Sequence, residues 1–319
     1  MPRPPRRPLG RSGLAIAPLA LGGNVFGWTV GEAEGFRLLD AFVDAGFNLI
    51  DTADTYSIWA GGHHGGESET MIGNWLHRTG RRDEVVIATK VGMDMGPGGK
   101  GLSATHIRTS VEGSLSRLRT DHIDLYQAHE DDTAAPLEAT LDAFNGLVRG
   151  GKVRALGASN YTAERLREAL QCSADHGFAR YESLQPRYNL LDRTEYEGAL
   201  ETVCRREGLG VITYSSLASG FLTGKYRSAA DLNKSPRGAR AGQRLDPRGR
   251  RVLAALDEVA ARLGSAPATV ALAWLLERPG VTAPIASATS IPQLRELLDA
   301  PSLRLDAASR DLLDRAGGE

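Results

Sequence analysis

The chain has 319 residues, with 38 Lys and Arg against 39 Asp and Glu and a hydrophobic share of 41%, a composition typical of a globular protein with a large core. A net charge of −1 gives no electrostatic basis for binding nucleic acid or an anionic membrane surface. No apolar run reaches the roughly 18 residues of a membrane span, and the N-terminus lacks the apolar core of a secretory signal. Cys172 and Cys204 lie in predicted helices, outside any metal-binding pattern, which favours a reducing compartment. We therefore expect a cytoplasmic protein.

Short apolar runs alternate with amphipathic segments along nearly the whole chain. Residues 1–8, rich in Pro and Arg, predict a disordered or extended tail before a single domain at 9–319, which opens with a hairpin. Strands are predicted at 19–21, 47–50, 84–90, 123–129, 153–159, 181–185, 210–215 and 281–286. Helices are predicted at 32–45, 66–78, 104–118, 136–148, 162–174, 195–206, 250–263, 267–276, 292–298 and 307–314.

The order of these elements predicts the fold. Eight strands without a polar face alternate with helices, which favours a parallel sheet covered by helices and closed as a (β/α)8 barrel. A long polar loop is expected from the seventh strand to about residue 248, and extra helices are expected at the C-terminus.

Ionisable residues follow three consecutive predicted strands. Asp51 and Tyr56 follow the second strand, Lys90 ends the third, and His129 ends the fourth. The carboxyl ends of barrel strands share one rim, where the active sites of such barrels lie. Each residue alone has an ordinary structural explanation, but the four together favour a site. They suit proton transfer to or from an oxygen while another group transfers a hydride: Lys90 would lower the pKa of Tyr56, Asp51 would orient Lys90, and His129 would donate to a carbonyl oxygen.

Several motifs in a fixed order carry a family resemblance. "DTADTY" contains Asp51 and Tyr56, "ATK" contains Lys90, and "LYQAH" contains His129. "GASN", "LQPRYNLLDR", "YSSLASGFLTGKY" and "PIASATSIPQL" follow at 157, 184, 214 and 284. With these motifs the sequence resembles the aldo-keto reductases, as a bacterial-type member, over nearly its whole length. The resemblance implies reduction of an aldehyde or ketone, sugar-like compounds included, by NADPH or NADH, with Tyr56 as general acid and base.

The resemblance also implies a set of cofactor-binding positions. Ser159, Asn160 and Gln185 would contact the nicotinamide carboxamide, and Tyr214 would stack under its ring. The remaining positions would line the site floor, the pyrophosphate loop and the adenosine end: Gly22, Gly23, Asn24, Asp51, Ser215, Ser216, Leu217, Gly220, Leu222, Lys225, Ser287, Thr289 and Gln293. Thr289 and Leu297 stand where the family often has Arg and Asn, so a clamp for the 2′-phosphate of NADPH is sought among Ser287, Ser290, Lys225 and Arg227.

Loops near the same rim predict a substrate pocket. Trp28, Ile58 and Trp59 would line it together with Tyr56 and His129. The expected partner is a small carbonyl compound, and the oligomeric state stays open.

Two other patterns are weaker. "GPGGKG" at 96–101 fits a dinucleotide-binding pattern but opens no helix directly. His63, His64, Glu67 and Glu69 do not match metal-ligand spacing, so no metal site is predicted. Two alternative functions are retained: a regulatory subunit that binds a nicotinamide cofactor without turnover, and a metal-dependent barrel hydrolase.

Overall fold

Eight parallel strands form a closed barrel in the computed structural model, which describes residues 3–318. An antiparallel hairpin, β1 (Arg7–Pro8) and β2 (Ala15–Ile16), precedes it. The barrel strands are β3 (Ala20–Gly22), β4 (Leu49–Asp51), β5 (Val86–Val91), β6 (Ile123–Ala128), β7 (Val153–Ser159), β8 (Tyr181–Gln185), β9 (Gly210–Thr213) and β10 (Val281–Ala286). Each strand pairs with its neighbours in sequence, and β10 closes the ring on β3. The predicted (β/α)8 barrel with an N-terminal hairpin is confirmed.

Helices surround the barrel and connect its strands. They are α1 (Glu32–Asp44), α2 (Glu67–Thr79), α3 (Ala104–Leu118), α4 (Leu137–Arg149), α5 (Ala163–His176), α6 (Ala199–Glu207), α7 (Gly238–Gly242), α8 (Pro247–Leu263), α9 (Pro267–Leu276), α10 (Ile291–Leu298) and α11 (Ala307–Gly317). Trp75 and Trp274, predicted to be core residues, are both fully buried on the inner faces of α2 and α9.

The interior of the barrel is apolar at its lower end. Leu9 and Ile16 of the hairpin region are fully buried and pack with residues that point inward from the strands: Ala20, Leu49, Val86, Ala88, Leu125, Ala155, Ile212, Ala283 and Ile285. The hairpin therefore closes the bottom of the barrel, opposite the rim where polar side chains emerge.

Strand structure, and with it the closure of the barrel, begins within the segment predicted to be a tail. Arg7–Pro8, within the predicted tail, forms a strand. The Arg7 guanidinium donates from Nη1 to the carbonyl oxygens of Val281 and Thr282 at 3.4 and 3.2 Å. Met1 and Pro2, also in that predicted tail, lie outside the described residues.

The predicted loop after the seventh strand has more structure than its composition suggests. It contains α7 and two 3-10 segments, Ala218–Thr223 and Ala229–Lys234. The loop ends at about residue 248 as expected, but α8, which was predicted from residue 250, already begins at Pro247. Asp246 caps it by accepting a hydrogen bond from the Gly249 N–H at 2.6 Å, and proline is favourable in a first helical turn.

The predicted start of the sixth helix is also wrong. That helix was expected from residue 195, but residues 194–198 form turns and α6 begins at Ala199. Gly198, with φ of 97°, is outside the helical region and separates the turns from the helix.

Within residues 3–318, no single helix has the length and apolarity to cross a membrane, and the one helix pair that meets both criteria jointly, α8 with α9, is bent by 94°.

Candidate active site

Three of the predicted catalytic residues are joined by hydrogen bonds at the upper rim. Lys90 is fully buried, and its Nζ donates to Asp51 Oδ2 at 2.8 Å and to Tyr56 OH at 3.0 Å. The Tyr56 hydroxyl in turn donates to Asp51 Oδ2 at 3.2 Å. The carbonyl oxygen of Thr52 accepts a further bond from Lys90 Nζ at 2.8 Å. The ammonium is therefore held by a carboxylate oxygen, a backbone carbonyl oxygen and the phenol.

The turn after β4 explains how one strand supplies both Asp51 and Tyr56. Gly22, Asp51 and Ala88 are paired across β3, β4 and β5, which places the carboxylate at the strand end. The chain then turns back, with the Tyr56 N–H donating to Ala53 O, and Ser57 adopts a left-handed φ of 76°. Ser57 Oγ donates to Phe26 O at 2.8 Å, and this buried bond stabilises the turn.

His129 lies next to this group. Its ring centroid is 6.0 Å from that of Tyr56, with an edge-on orientation, and only 6% of the residue is exposed. Burial, with the nearby Lys90 charge, holds the pKa of His129 well below its ordinary value of 6.5. The imidazole is therefore neutral near pH 7. Its Nδ1 is buried and has no hydrogen-bond partner among the described residues.

The prediction that Lys90 lowers the pKa of Tyr56 below its ordinary value is wrong. Burial raises the pKa of the Tyr56 phenol well above 10, and the adjacent Asp51 carboxylate raises it further. Burial also lowers the pKa of Lys90, although Asp51 opposes that effect. Tyr56 is consequently a neutral phenol, which is the form that can donate a proton.

The residues expected at the nicotinamide also lie together. Asn160 Nδ2 donates to His129 O at 2.9 Å, and Asn160 Oδ1 accepts from Tyr214 OH at 2.7 Å. Ser159 Oγ donates to the Gln185 backbone oxygen at 2.9 Å. The side chain of Gln185 donates from Nε2 to Asp51 Oδ1 at 2.8 Å, so its carbonyl oxygen is the part left for a ligand. The structure thus connects Asp51 to the amide-bearing part of the site.

The loop after β9, expected to follow a pyrophosphate, has an unusual backbone. Ser215, Ala218, Ser219 and Gly220 all have left-handed φ values, between 47° and 88°. Successive left-handed residues can turn backbone N–H groups toward one side, as anion-binding loops do. Of the other residues expected here, Ser216 and Leu222 are buried, whereas Leu217 and Lys225 are partly exposed.

Residues expected at the adenosine end make contacts of their own. Ser287 Oγ donates to Asn24 Oδ1 at 2.7 Å. Thr289 donates through both N–H and Oγ1 to Gln293 Oε1 at 2.9 and 3.0 Å. Arg227, a candidate for the 2′-phosphate clamp, instead forms a bidentate pair with Asp257 at 2.7 Å for both bonds.

Close packing links the first strand to the last at this rim. A Cβ on Gly22 would lie 2.6 Å from Ser287 Oγ, so a larger residue here would displace the Ser287 side chain. Gly23 is equally confined, since a Cβ there would lie 3.0 Å from Asp51 O, and its N–H donates to the same oxygen at 2.7 Å. The expected floor residues therefore adjoin Asp51.

Aromatic side chains form the mouth of the site. The rings of Trp28 and Trp59 meet edge to face at 5.7 Å, and Trp59 meets Tyr56 at 5.9 Å. Trp59 is 48% exposed, and Ile58 before it is partly buried. A path of ring faces and edges thus runs from the surface to the phenol.

A sequence model of the Aldo/keto reductase family matches residues 18–317. The chain belongs to the aldo/keto reductase family. Three relatives agree in length with it. The uncharacterized oxidoreductase YrpG of Bacillus subtilis (strain 168) is 38% identical, over 98% of this chain and 96% of that protein. Protein tas of Escherichia coli (strain K12) is 33% identical, over 95% and 93%. A putative voltage-gated potassium channel subunit beta of Schizosaccharomyces pombe (strain 972 / ATCC 24843) is 33% identical, over 92% and 86%.

Family membership confirms the predicted resemblance. It indicates an oxidoreductase of carbonyl compounds that uses a pyridine nucleotide.

This aldo/keto reductase has an arginine at its site that the sequence reasoning missed. Arg237, in the segment predicted to be a loop, lies with its guanidinium 5.4 Å from the Trp28 ring centroid and donates to Asn24 Oδ1 at 3.1 Å. No pattern in a long polar segment indicates which of its arginines reaches the site. Only the tertiary structure shows the contact, because Arg237 and Asn24 are 213 residues apart in the sequence.

A buried cluster of charges behind Lys90 was also missed. Glu69 of α2 is fully buried; it accepts from Thr89 Oγ1 at 2.6 Å and from Arg117 Nε at 2.7 Å. Asp54 is 3% exposed, and its Oδ1 has no hydrogen-bond partner among the described residues. Asp54 lies within "DTADTY", which is the only sequence signal for it.

The histidine-rich turn has local roles. His63 Nδ1 contacts Ser57 O at 3.2 Å, and the His64 N–H donates to Glu67 Oε1 at 2.8 Å. Across residues 3–318, no three His, Cys, Asp or Glu side chains are grouped so that they could hold a metal ion.

Proposed function

We propose that this aldo/keto reductase reduces a small aldehyde or ketone to the alcohol, with Tyr56 as the proton donor. The observation that carries the proposal is the bonding of Lys90 Nζ to both Asp51 Oδ2, at 2.8 Å, and Tyr56 OH, at 3.0 Å. A reduced nicotinamide coenzyme would supply the hydride. The carbonyl oxygen of the substrate would lie between the Tyr56 hydroxyl and the neutral His129 imidazole, which can each donate one hydrogen bond.

The charges around Tyr56 fit this role. As negative charge develops on the substrate oxygen, the phenol releases its proton to it. The Lys90 ammonium then stabilises the phenolate that remains. Asp51 holds Lys90 in place and is itself fixed by the Gln185 amide. Tyr56 can therefore lose its proton during the reaction although its pKa is high beforehand.

The coenzyme would lie across residues from β7, β8 and the loop after β9. We propose Ser159, Asn160 and Gln185 for the carboxamide and Tyr214 beneath the nicotinamide ring, since hydrogen bonds already connect Asn160 with Tyr214 and Ser159 with Gln185. Left-handed Ser215, Ala218 and Ser219 support a pyrophosphate contact through backbone N–H groups.

We propose NADPH as the preferred coenzyme. The support is the family, together with Lys225, which forms no ion pair with the described residues and lies beside the Tyr226 ring. Arg227 is a poorer candidate because Asp257 already pairs with its guanidinium. For the substrate, the exposed Trp59 ring favours compounds with an apolar face, which includes sugar-like carbonyl compounds.

The test is Tyr56→Phe, which removes the hydroxyl and keeps the ring. We expect kcat to fall by about 10²–10⁴-fold on a panel of aldehydes, ketones and keto-sugars. Coenzyme binding should stay close to that of the wild type, as measured by fluorescence titration with NADPH and with NADH. Tyr196→Phe is the matched control, because that buried hydroxyl lacks a hydrogen-bond partner among the described residues.

Two outcomes would contradict the proposal. Near wild-type turnover by Tyr56→Phe would exclude Tyr56 as the proton donor. Equal affinities for NADPH and NADH would contradict the coenzyme preference.

A second function has one specific observation in its favour, namely the relative named as a potassium channel subunit beta. The chain would then bind a nicotinamide coenzyme as a regulatory subunit. Tight coenzyme binding with no turnover across the whole panel would favour this function over reduction.

A further inference from the structure

The charges near Lys90 do not balance. Lys90 pairs with Asp51, and Arg117 pairs with Glu69. Asp54 is a fifth ionisable group of the cluster, and it forms no ion pair with any of the described residues. Its backbone N–H donates to Lys90 O at 3.3 Å, so the two residues are neighbours across the ends of β4 and β5.

The surroundings of Asp54 come from four elements. Glu69 belongs to α2, Arg117 to α3, Lys90 to β5 and Tyr126 to β6. Tyr126 is fully buried, and its hydroxyl, like Asp54 Oδ1, lacks a hydrogen-bond partner within residues 3–318. Arg117 and Lys90 are thus the cations of the cluster, and Glu69 already holds Arg117 at 2.7 Å.

Burial disfavours the charged form of Lys90 even with Asp51 bonded to it. The ammonium is fully buried, and burial lowers its pKa in spite of the bond to Asp51. Asp54 and Glu69 both act in the opposite direction and favour the charged form of Lys90. Because Asp51 is paired with Lys90 and Glu69 with Arg117, Asp54 is the carboxyl of this cluster without an ion-pair partner among the described residues.

We propose that Asp54 is a positioning residue of the proton-transfer unit: its buried carboxyl group, when ionised, favours the charged form of the Lys90 ammonium beside the phenol. The inference rests on the proposed function for its meaning in catalysis, but it concerns the charge of Lys90, which can be measured without turnover. Asp51 holds the ammonium in place, and Asp54 extends the pH range over which it stays charged.

The experiment compares the wild type with Asp54→Asn, which removes the charge and preserves the shape. Lysine labelled with ¹³C and ¹⁵N reports the titration of Lys90 by NMR, with the signal assigned by its loss in Lys90→Met. We expect the Lys90 titration midpoint to move down by about one pH unit in Asp54→Asn. The alkaline fall of kcat/KM should move down with it, and Asp54→Glu, which keeps the charge, should restore most of the shift.

Each outcome is decisive. A Lys90 midpoint that is the same in Asp54→Asn and the wild type overturns the inference. If the asparagine variant does not fold, Asp54→Ser removes the same charge with a smaller side chain and is read in the same way. A shifted Lys90 midpoint in a protein without carbonyl turnover would contradict the proposed function and leave the inference intact.

Discussion

Asp54 carries an ionisable group into a region from which water is largely excluded. Burial raises its pKa from 3.8 to about 7, and the Glu69 carboxylate adds to the effect. Arg117, the Thr55 N–H and Lys90 oppose it. In the unfolded chain this carboxyl titrates near its ordinary value, so the folded protein binds the proton more tightly between about pH 4 and pH 7.

This difference predicts a pH dependence of stability. A carboxyl with a raised folded-state pKa favours folding at low pH, and that contribution is lost as pH rises toward 7. Asp54→Asn removes it. From pH 5 to pH 8 the wild type should therefore lose about 2–3 kcal/mol of unfolding free energy that Asp54→Asn does not lose. Urea unfolding at both pH values measures the difference.

The control is Glu258→Gln, which neutralises an exposed carboxyl on α8 and should show no such pH-dependent gain. Parallel stability curves for Asp54→Asn and the wild type would contradict the raised pKa.

The active-site residues differ in how far the sequence could predict them. Asp51, Lys90 and Tyr56 were predicted to meet because strand ends share a rim, and the structure brings them together. The pKa of Tyr56 was misjudged, since the extent of its burial is not visible in a motif. Arg237 was missed because its contact with Asn24 depends on how the long loop after β9 folds back over the barrel. Local sequence patterns do not encode that arrangement.

Helices α2 and α3 pack closely at one glycine. A Cβ at Gly73 would lie 2.0 Å from Arg117 O and 2.8 Å from Leu118 C, both of which are backbone atoms of α3. Neither atom can move without displacing the helix that carries Arg117. The absence of a side chain at residue 73 therefore sets the distance between the two helices.

Two Gly→Ala substitutions should consequently have opposite effects. Gly73→Ala should destabilise the protein by about 1–3 kcal/mol or more through overpacking. Gly146→Ala, within α4, has nothing within 4 Å of the added Cβ. It should stabilise by about 0.5–1 kcal/mol, because alanine favours the helix. Urea unfolding of both variants tests this, and equal effects would show that the packing at residue 73 is not limiting.

The elements themselves were largely predicted by alternation. Apolar runs marked all eight barrel strands, and amphipathic spacing marked the helices between them except α7, which lies in the predicted loop after β9. The errors fall where a single residue sets a helix start: the Asp246 cap starts α8 earlier in the chain than predicted, and the backbone conformation of Gly198 starts α6 later. The 3-10 segments in the loop after β9 are too short to produce a periodic pattern.

At the scale of the whole molecule, the two ends of the barrel differ in chemistry. The lower end holds Leu9 and Ile16 against the inward-facing residues of the strands. The upper end holds Asp51, Lys90 and His129, all buried and polar. Apolar burial at the lower end therefore stabilises a frame on which charged groups are held at the upper end, where they cost stability.

This separation predicts that stability and activity can be changed independently. Leu9→Ala leaves a cavity in a fully buried site beneath the barrel and should lower the free energy of unfolding by about 2–5 kcal/mol. Leu14→Ala, a partly exposed position in the same hairpin region, is the matched control and should cost less. Below the unfolding transition, kcat/KM of Leu9→Ala should stay near that of the wild type, because the strand ends that carry Asp51 and Lys90 lie at the opposite rim. A loss of kcat/KM in the folded variant as large as that of Tyr56→Phe would show that the lower end also determines the geometry of the proton-transfer unit.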